Sequence, residues 1–170
     1  KVGVEAERKP FEDAWGAKLP EKAGLTIPKI IEGAGTGEVK ALLVMGENPM
    51  MSEPDLDHVE KCLKKLDLLV IQDIFPNETT KFAHVVLPSA GWAEKDGTFS
   101  NTERRVQRVR KAVDAPGEAR DDWQILSLLA SKLGAGWSYA SAAEIASEIS
   151  SVTPSYAGIT YERLEKGRSE

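Results

Sequence analysis

Three short apolar runs stand out along the chain, and each is followed by a stretch whose apolar residues recur every three or four positions. Residues 39–46, VKALLVMG, form a near-continuous apolar run stopped by glycine, the pattern of a strand buried on both faces. Residues 66–73, LDLLVIQD, and 84–89, HVVLPS, repeat that pattern. Between the first two runs, Leu56, Val59, Leu63 and Leu66 keep helical spacing. Ser52 with Asp55 suggests a capping box there, and Pro54 suits a first turn. A short helix in NETTKFA leads into the third run. Strands separated by helical stretches predict βαβ units and an α/β fold, with a parallel sheet covered on both faces.

The rest of the chain is less regular. Residues 1–24 carry Pro10, Gly16, Pro20 and Gly24 among mixed charges and read as an irregular lead-in. Residues 27–33 predict a short helix ended by the Gly33, Gly35, Gly37 cluster. Residues 104–113, RRVQRVRKAV, suggest an irregular, bent strand. Residues 121–134, DDWQILSLLASKLG, predict an amphipathic helix with Trp123, Leu126, Leu129 and Leu133 on one face, acids in its first turn and Gly134 at its end. A weaker helix follows in SAAEIASEIS, and a last one begins at Thr160. The expected organisation is a lead-in over 1–24, an α/β domain over 25–152 and a C-terminal helical extension over 153–170.

Composition narrows the function. The 170 residues are 41 % hydrophobic and 29 % charged, with a net charge of −5, which fits one soluble globular domain and no general polyanion binder. Arg104, Arg105, Arg108, Arg110 and Lys111 make a local basic run, but Glu94, Asp96 and Glu103 interrupt it. It reads as a salt-bridged surface, with no nucleic-acid partner expected. Cys62, the single cysteine, excludes an internal disulfide framework and a cysteine-rich metal site. It shares an apolar helix face and is expected to be a buried structural thiol, with His58 on a solvated flank. No apolar run is long enough to span a bilayer, so no direct membrane insertion is expected. The missing initiator methionine suggests an excised piece.

In open parallel sheets, ligands bind beyond the carboxyl ends of the strands. Three polar clusters fall there: Gly46-Glu47-Asn48-Pro49, Gln72-Asp73, and residues 89–101. Each has a plainer alternative. The first could be only a strand-to-helix turn, Asp73 could only cap the turn before Pro76, and Asp121 and Asp122 could only favour a helix dipole. Against this, a carboxylate at such a place can accept both hydrogen bonds of a guanine N1–H and N2–H₂ edge. There is no Gly-x-Gly-x-x-Gly, Walker loop or nucleophile elbow, and residues 33–37, GAGTG, precede a strand where a phosphate loop should follow one.

Taken in order, MGENPMMSEPD, LVIQDIFPNETTKFAHVVLPS, WAEKDGTFSNTERRVQRVRKAV and PGEARDDWQILSLLASKLG resemble the molybdopterin oxidoreductase family, and within it the catalytic alpha subunits of formate dehydrogenases. PSYAGITYERLE extends the resemblance over nearly the whole chain. The resemblance implies a three-layer, Rossmann-like α/β domain with a mostly parallel sheet flanked by helices. This would be the third domain of a larger catalytic subunit. That subunit would hold molybdenum or tungsten between two molybdopterin guanine dinucleotides and oxidise formate, with electrons leaving through an iron–sulfur cluster.

The resemblance further implies that Asn48 contacts the nucleotide, that Gln72 and Asp73 hold the guanosine portion, that Lys95 contacts the cofactor and that Asp122 reads the guanine edge. Gly46, Glu47 and Asn101 join them as cofactor-binding candidates. Partners would be the other domains of the same subunit and electron-transfer subunits. The expected compartment is cytoplasmic, with a periplasmic parent left open. The family's iron–sulfur cysteines and the metal-ligating cysteine or selenocysteine are not in this sequence, so no catalytic or metal-ligating residue is assigned and the piece alone is expected to be inactive. His84 stands where relatives carry Asp. Two alternatives stay open: another oxidoreductase of the same group, of nitrate or respiratory-complex type, and a stand-alone nucleotide-binding or assembly module.

Overall fold

In a computed structural model, residues 3–166 are described; the outer ends of the expected lead-in and C-terminal extension, residues 1–2 and 167–170, lie outside them. The chain divides into two compact units. One unit comprises Leu25–Gly91 and Ala115–Ile125, and the other Lys1–Gly24, Trp92–Asp114 and Leu126–Glu170.

The first of these is the α/β unit, its sheet flanked by helices. Strands β1 (Ala41–Met45), β2 (Leu68–Asp73) and β3 (Val85–Pro88) form a parallel sheet in the order β1-β2-β3. Leu42 pairs with Leu69, Val44 with Ile71, and Gln72 with Leu87. Because side chains alternate across a strand, Leu42, Val44, Leu69 and Ile71 share one face. That face packs on α2 (Ile27–Thr36) and α4 (Leu56–Leu63) through Ile31, Ala34, Val59, Cys62 and Leu63. The opposite face is less covered: Leu43, Met45, Leu68 and Val85 remain exposed. Cys62 is buried, as expected, and its thiol lies 3.5 Å from Nε2 of the exposed His58.

Two helix boundaries differ from expectation. Helix α2 does not stop at Gly33 but runs through Gly33 and Gly35 to Thr36, and only Gly37, at φ 84°, ends it. The inner glycines serve close packing: a β-carbon at Gly33 would lie 2.9 Å from Val39 Cγ2, and one at Gly35 2.6 Å from Cys62 Sγ. The cap of α4 is Asp55, whose carboxylate accepts from the His58 amide at 3.0 Å. Ser52 instead closes a separate one-turn helix, α3 (Pro49–Ser52), its hydroxyl donating to the Asn48 carbonyl. Asp55 wins because it stands adjacent to the first helical residue, whereas Pro54 interrupts the chain between Ser52 and that position.

The other unit is built from helices and a hairpin. The segment read as an irregular lead-in holds α1 (Glu5–Trp15). Pro10 lies inside it and hides it from a propensity reading, but the i,i+4 pairs Arg8–Glu12 and Lys9–Asp13 support it, and Gly16 at φ 61° ends it. Trp15 Nε1 and the Tyr139 hydroxyl both donate to the Glu148 carboxylate, tying α1 to α6 (Ala142–Val152). Strand β4 (Gly97–Ser100) pairs antiparallel with β5 (Val106–Val109), which the sequence showed only as an irregular strand. The expected last helix is α7 (Tyr161–Glu165), capped by the Thr160 hydroxyl.

Helix α5 (Asp122–Lys132) begins in the α/β unit, and its later turns belong to the other. Its buried residues are Ile125 and Ala130; Leu129 and Leu133 of the expected apolar face are exposed, Leu133 by 79 %.

Candidate functional site

Within the α/β unit, the residues expected to bind converge at the carboxyl ends of β1 and β2. Gly46 leaves β1 with φ 65°, a left-handed turn natural to glycine, and its amide donates to the Gln72 carbonyl at 2.9 Å. This bond holds the start of the Gly46–Pro49 loop against the end of β2. Glu47 is exposed. Asn48 is half-buried, and both ends of its amide are engaged: Nδ2 donates to Glu78 Oε2 at 2.6 Å, and Oδ1 accepts from the Thr79 hydroxyl at 2.7 Å.

Gln72 is fully buried, which a polar side chain tolerates only when hydrogen-bonded. Its Nε2 donates to Asp122 Oδ1 at 2.9 Å, whereas its Oε1 has no hydrogen-bond partner among the described residues. Asp122 starts α5, so its carboxylate also favours that helix's dipole. The Ser89 hydroxyl, just past β3, is a second buried atom without a partner among the described residues. The Ser89 backbone is fixed on both sides, its amide bonded to the Asp73 carbonyl and its residue bridged to Arg120.

Asp73 follows the plainer reading of its role. Oδ1 accepts from the Ile74 amide at 2.7 Å and Oδ2 from Asn77 Nδ2 at 2.8 Å, so the carboxylate organises the turn after β2. Lys95 and Asn101 lie in the other unit. Lys95 is half-buried after a short 3-10 turn, Trp92–Glu94. Asn101 accepts from the Arg105 amide through Oδ1 and from the Arg104 amide through its carbonyl, which makes it the turn-former of the β4–β5 hairpin.

The carboxylates with shifted acidity have local causes. Glu78 is held below the ordinary glutamate range, first by the hydrogen bond from Asn48. In the other unit, Glu165 is lowered by hydrogen bonds from Arg110 and Arg108. Of these carboxylates Glu78 stands at the candidate site, beside Thr79, and the sequence reading passed over both residues. NETT signals a turn, but nothing in one sequence shows that residues 30 and 31 positions after Asn48 hold its side chain. A cleft of about 270 Å³ between α2 and α4, lined by Pro28, Ile31, Pro54 and His58, contains none of the candidate residues. Among the described residues there is no cluster of three or more histidines, cysteines or carboxylates able to hold a metal, and no helix long and apolar enough to cross a membrane.

Residues 8–132 match the family model of the molybdopterin oxidoreductases, so the chain belongs to that family. It is 55 % identical over 163 residues to F420-dependent formate dehydrogenase 1 subunit alpha of Methanococcus maripaludis, and 57 % identical over 164 residues to the F420-dependent formate dehydrogenase subunit alpha of Methanocaldococcus jannaschii. Each match covers 95 % of this chain and 24 % of the relative, so the chain spans about a quarter of the length of these proteins. Among solved structures, acetylene hydratase from Pelobacter acetylenicus shares the fold, with a TM-score of 0.66 at 24 % identity over 97 % of this chain and 24 % of that one. The family implies a molybdopterin cofactor with molybdenum or tungsten.

Proposed function

We propose that this chain is the nucleotide-holding part of a formate-dehydrogenase-like catalytic subunit, and that its α/β unit binds one guanine dinucleotide of a bis-molybdopterin cofactor. The observation that carries the reading is the Gln72–Asp122 pair at the carboxyl end of β2, where open parallel sheets bind ligands. Gln72 spends its only donor group on Asp122 and thereby orients that carboxylate. The side-chain oxygens of the pair, the Asp122 carboxylate and Gln72 Oε1, are acceptors. Acceptors suit the N1–H and N2–H₂ edge of guanine and do not suit adenine, which presents an acceptor at N1.

Gly46 and Glu47 would line the same nucleotide from the loop after β1; Lys95 and Asn101, of the other unit, remain proposed cofactor-binding residues on the family resemblance alone. The bound cofactor would supply the redox-active metal that takes the two electrons released, with a proton, when formate becomes carbon dioxide. The residues of this chain hold and orient. The identity to alpha subunits named formate dehydrogenase supports formate as the substrate of the whole protein and other domains of one subunit as partners. Electron-transfer subunits, an iron–sulfur cluster beyond this chain and a cytoplasmic setting are proposed with it on the family resemblance alone.

Nucleotide titrations of the 170-residue chain test the reading. GDP is expected to bind more tightly than ADP. Asp122→Ala should weaken GDP by roughly 10- to 100-fold, the worth of a lost charge-assisted pair, and leave ADP unchanged. Equal affinity for the two nucleotides with Asp122 intact would count against the assignment.

A further inference from the structure

We propose that Thr79, with Glu78, is a positioning residue for the nucleotide loop, acting through Asn48; the inference rests on the nucleotide reading above. Thr79 is fully buried, on the 3-10 turn Thr79–Phe82 that follows β2. Its hydroxyl donates to Asn48 Oδ1 at 2.7 Å and accepts from the Met50 amide at 3.1 Å. The Asn48 Nδ2 group donates to Glu78 Oε2 at 2.6 Å. The polarity is consistent throughout: the amide oxygen faces the hydroxyl and the amide nitrogen faces the carboxylate.

Both ends of the Asn48 side chain are therefore engaged inside the protein. Asn48 is one end of a staple between the loop after β1 and the loop after β2, and its contribution to a nucleotide comes from holding Gly46, Glu47 and its own backbone in place. The staple is needed because α3 has only four residues, too short to hold itself, and Asn48 makes no side-chain cap to it. Asp73 anchors the far end. Its carboxylate accepts from Asn77 Nδ2, and Asn77 in turn exchanges bonds with Thr80: its Oδ1 accepts from the Thr80 amide, and its own amide donates to the Thr80 hydroxyl. A relay thus runs from Asp73 through Asn77 and the 3-10 turn to Thr79 and the loop.

Threonine suits this place because the hydroxyl both donates and accepts while the methyl group fills buried space. Valine keeps the shape and loses both bonds; serine keeps the bonds and loses the methyl. The test uses Thr79→Val, Thr79→Ser and Glu78→Gln in the full 170-residue chain. GDP affinity, amide hydrogen exchange over residues 46–52 and melting temperature are read together.

Thr79→Val should weaken GDP about tenfold, the value of one to two neutral hydrogen bonds, and speed exchange over 46–52. Thr79→Ser should keep wild-type affinity and exchange even where its melting temperature falls, so affinity follows the hydroxyl and not overall stability. Glu78→Gln, at an exposed position, leaves the fold intact and should weaken GDP by roughly two- to fivefold, keeping the test sound even where Thr79→Val fails to fold. Wild-type affinity in both Thr79→Val and Glu78→Gln overturns the positioning role alone. A wild-type chain that binds no GDP, while its 46–52 exchange still responds to Thr79→Val, overturns the nucleotide reading and with it the purpose assigned to the staple.

Discussion

A β-carbon added to Gly35 would stand 2.6 Å from the Cys62 sulfur, closer than unstrained atoms approach. Gly35 lies inside α2, where alanine would ordinarily gain about 1 kcal/mol of helix propensity. Here the overpacking cost of about 1–3 kcal/mol opposes that gain, because Cys62 is buried and α2 and α4 must move apart to admit the methyl. Gly35→Ala is expected to destabilise the chain in urea unfolding. In a Cys62→Ala background the obstacle is gone and the same change should turn neutral or stabilising, a coupling that a double-mutant cycle reads directly. An equal effect in both backgrounds would show that the sulfur is not the obstacle. Residue by residue, the sequence announced the polar groups at the strand ends but not their duties. Gln72, at a strand end, and Asp122, ahead of a helix, were legible only as separate candidates. That Gln72 orients Asp122, and that Asn48 and Asp73 spend their side chains on the fold, depends on contacts across 4 to 50 positions of chain.

At the scale of elements, the strongest local signals were strands. All three parallel strands were legible because a strand buried in such a sheet is a run of apolar residues, and that pattern needs no knowledge of neighbours. Strand β4 was not legible: GTFS is four residues without apolar alternation, and it exists because β5 pairs with it. The hairpin is braced by Arg108 of its own second strand. Its guanidinium donates to the Gly97 and Val109 carbonyls at 2.8 and 2.6 Å, bonds Glu165 at 2.9 Å, and lies 4.0 Å from the Tyr161 ring centre. Burial is the main reason the Tyr161 hydroxyl is pushed to a higher pKa. Arg108→Lys keeps the charge but not the fork, and should cost about 2 kcal/mol in urea unfolding. A cost no greater than that of an exposed Arg→Lys change elsewhere would remove Arg108 as the brace. The Glu165 half carries a pH signature. Its carboxyl is lowered in the folded chain, so its contribution is complete above the ordinary glutamate pKa of about 4.3 and is lost as pH falls from there through the folded value. The stability gap between wild type and Glu165→Gln should therefore be constant near neutrality and close on acidification below about 4; a gap that widens there would contradict the ion pair.

For the whole molecule, the division into two units was the feature least available to sequence reading, since both interleave along the chain and α5 passes from one to the other. What the α/β unit leaves uncovered has a physical consequence. Parallel sheets ordinarily have both faces covered, because their strands are apolar on both sides. Here one face meets α2 and α4, whereas Leu43, Met45, Leu68 and Val85 on the other are exposed by 39, 47, 42 and 42 %. Strand β1 is also an edge of the sheet, with no further strand paired to it among the described residues. An apolar face beside an open edge favours association of copies with one another. The 170-residue chain alone is therefore expected to self-associate as its concentration is raised. Leu43→Lys places a charge on that face without touching Val44 or Leu42, which point to the core, and should raise the dissociation constant at least tenfold in sedimentation equilibrium while leaving the melting temperature nearly unchanged. Association untouched by Leu43→Lys would mean the copies meet elsewhere. Association abolished, with GDP affinity intact, would separate the apolar face from the strand ends as two independent surfaces of one sheet.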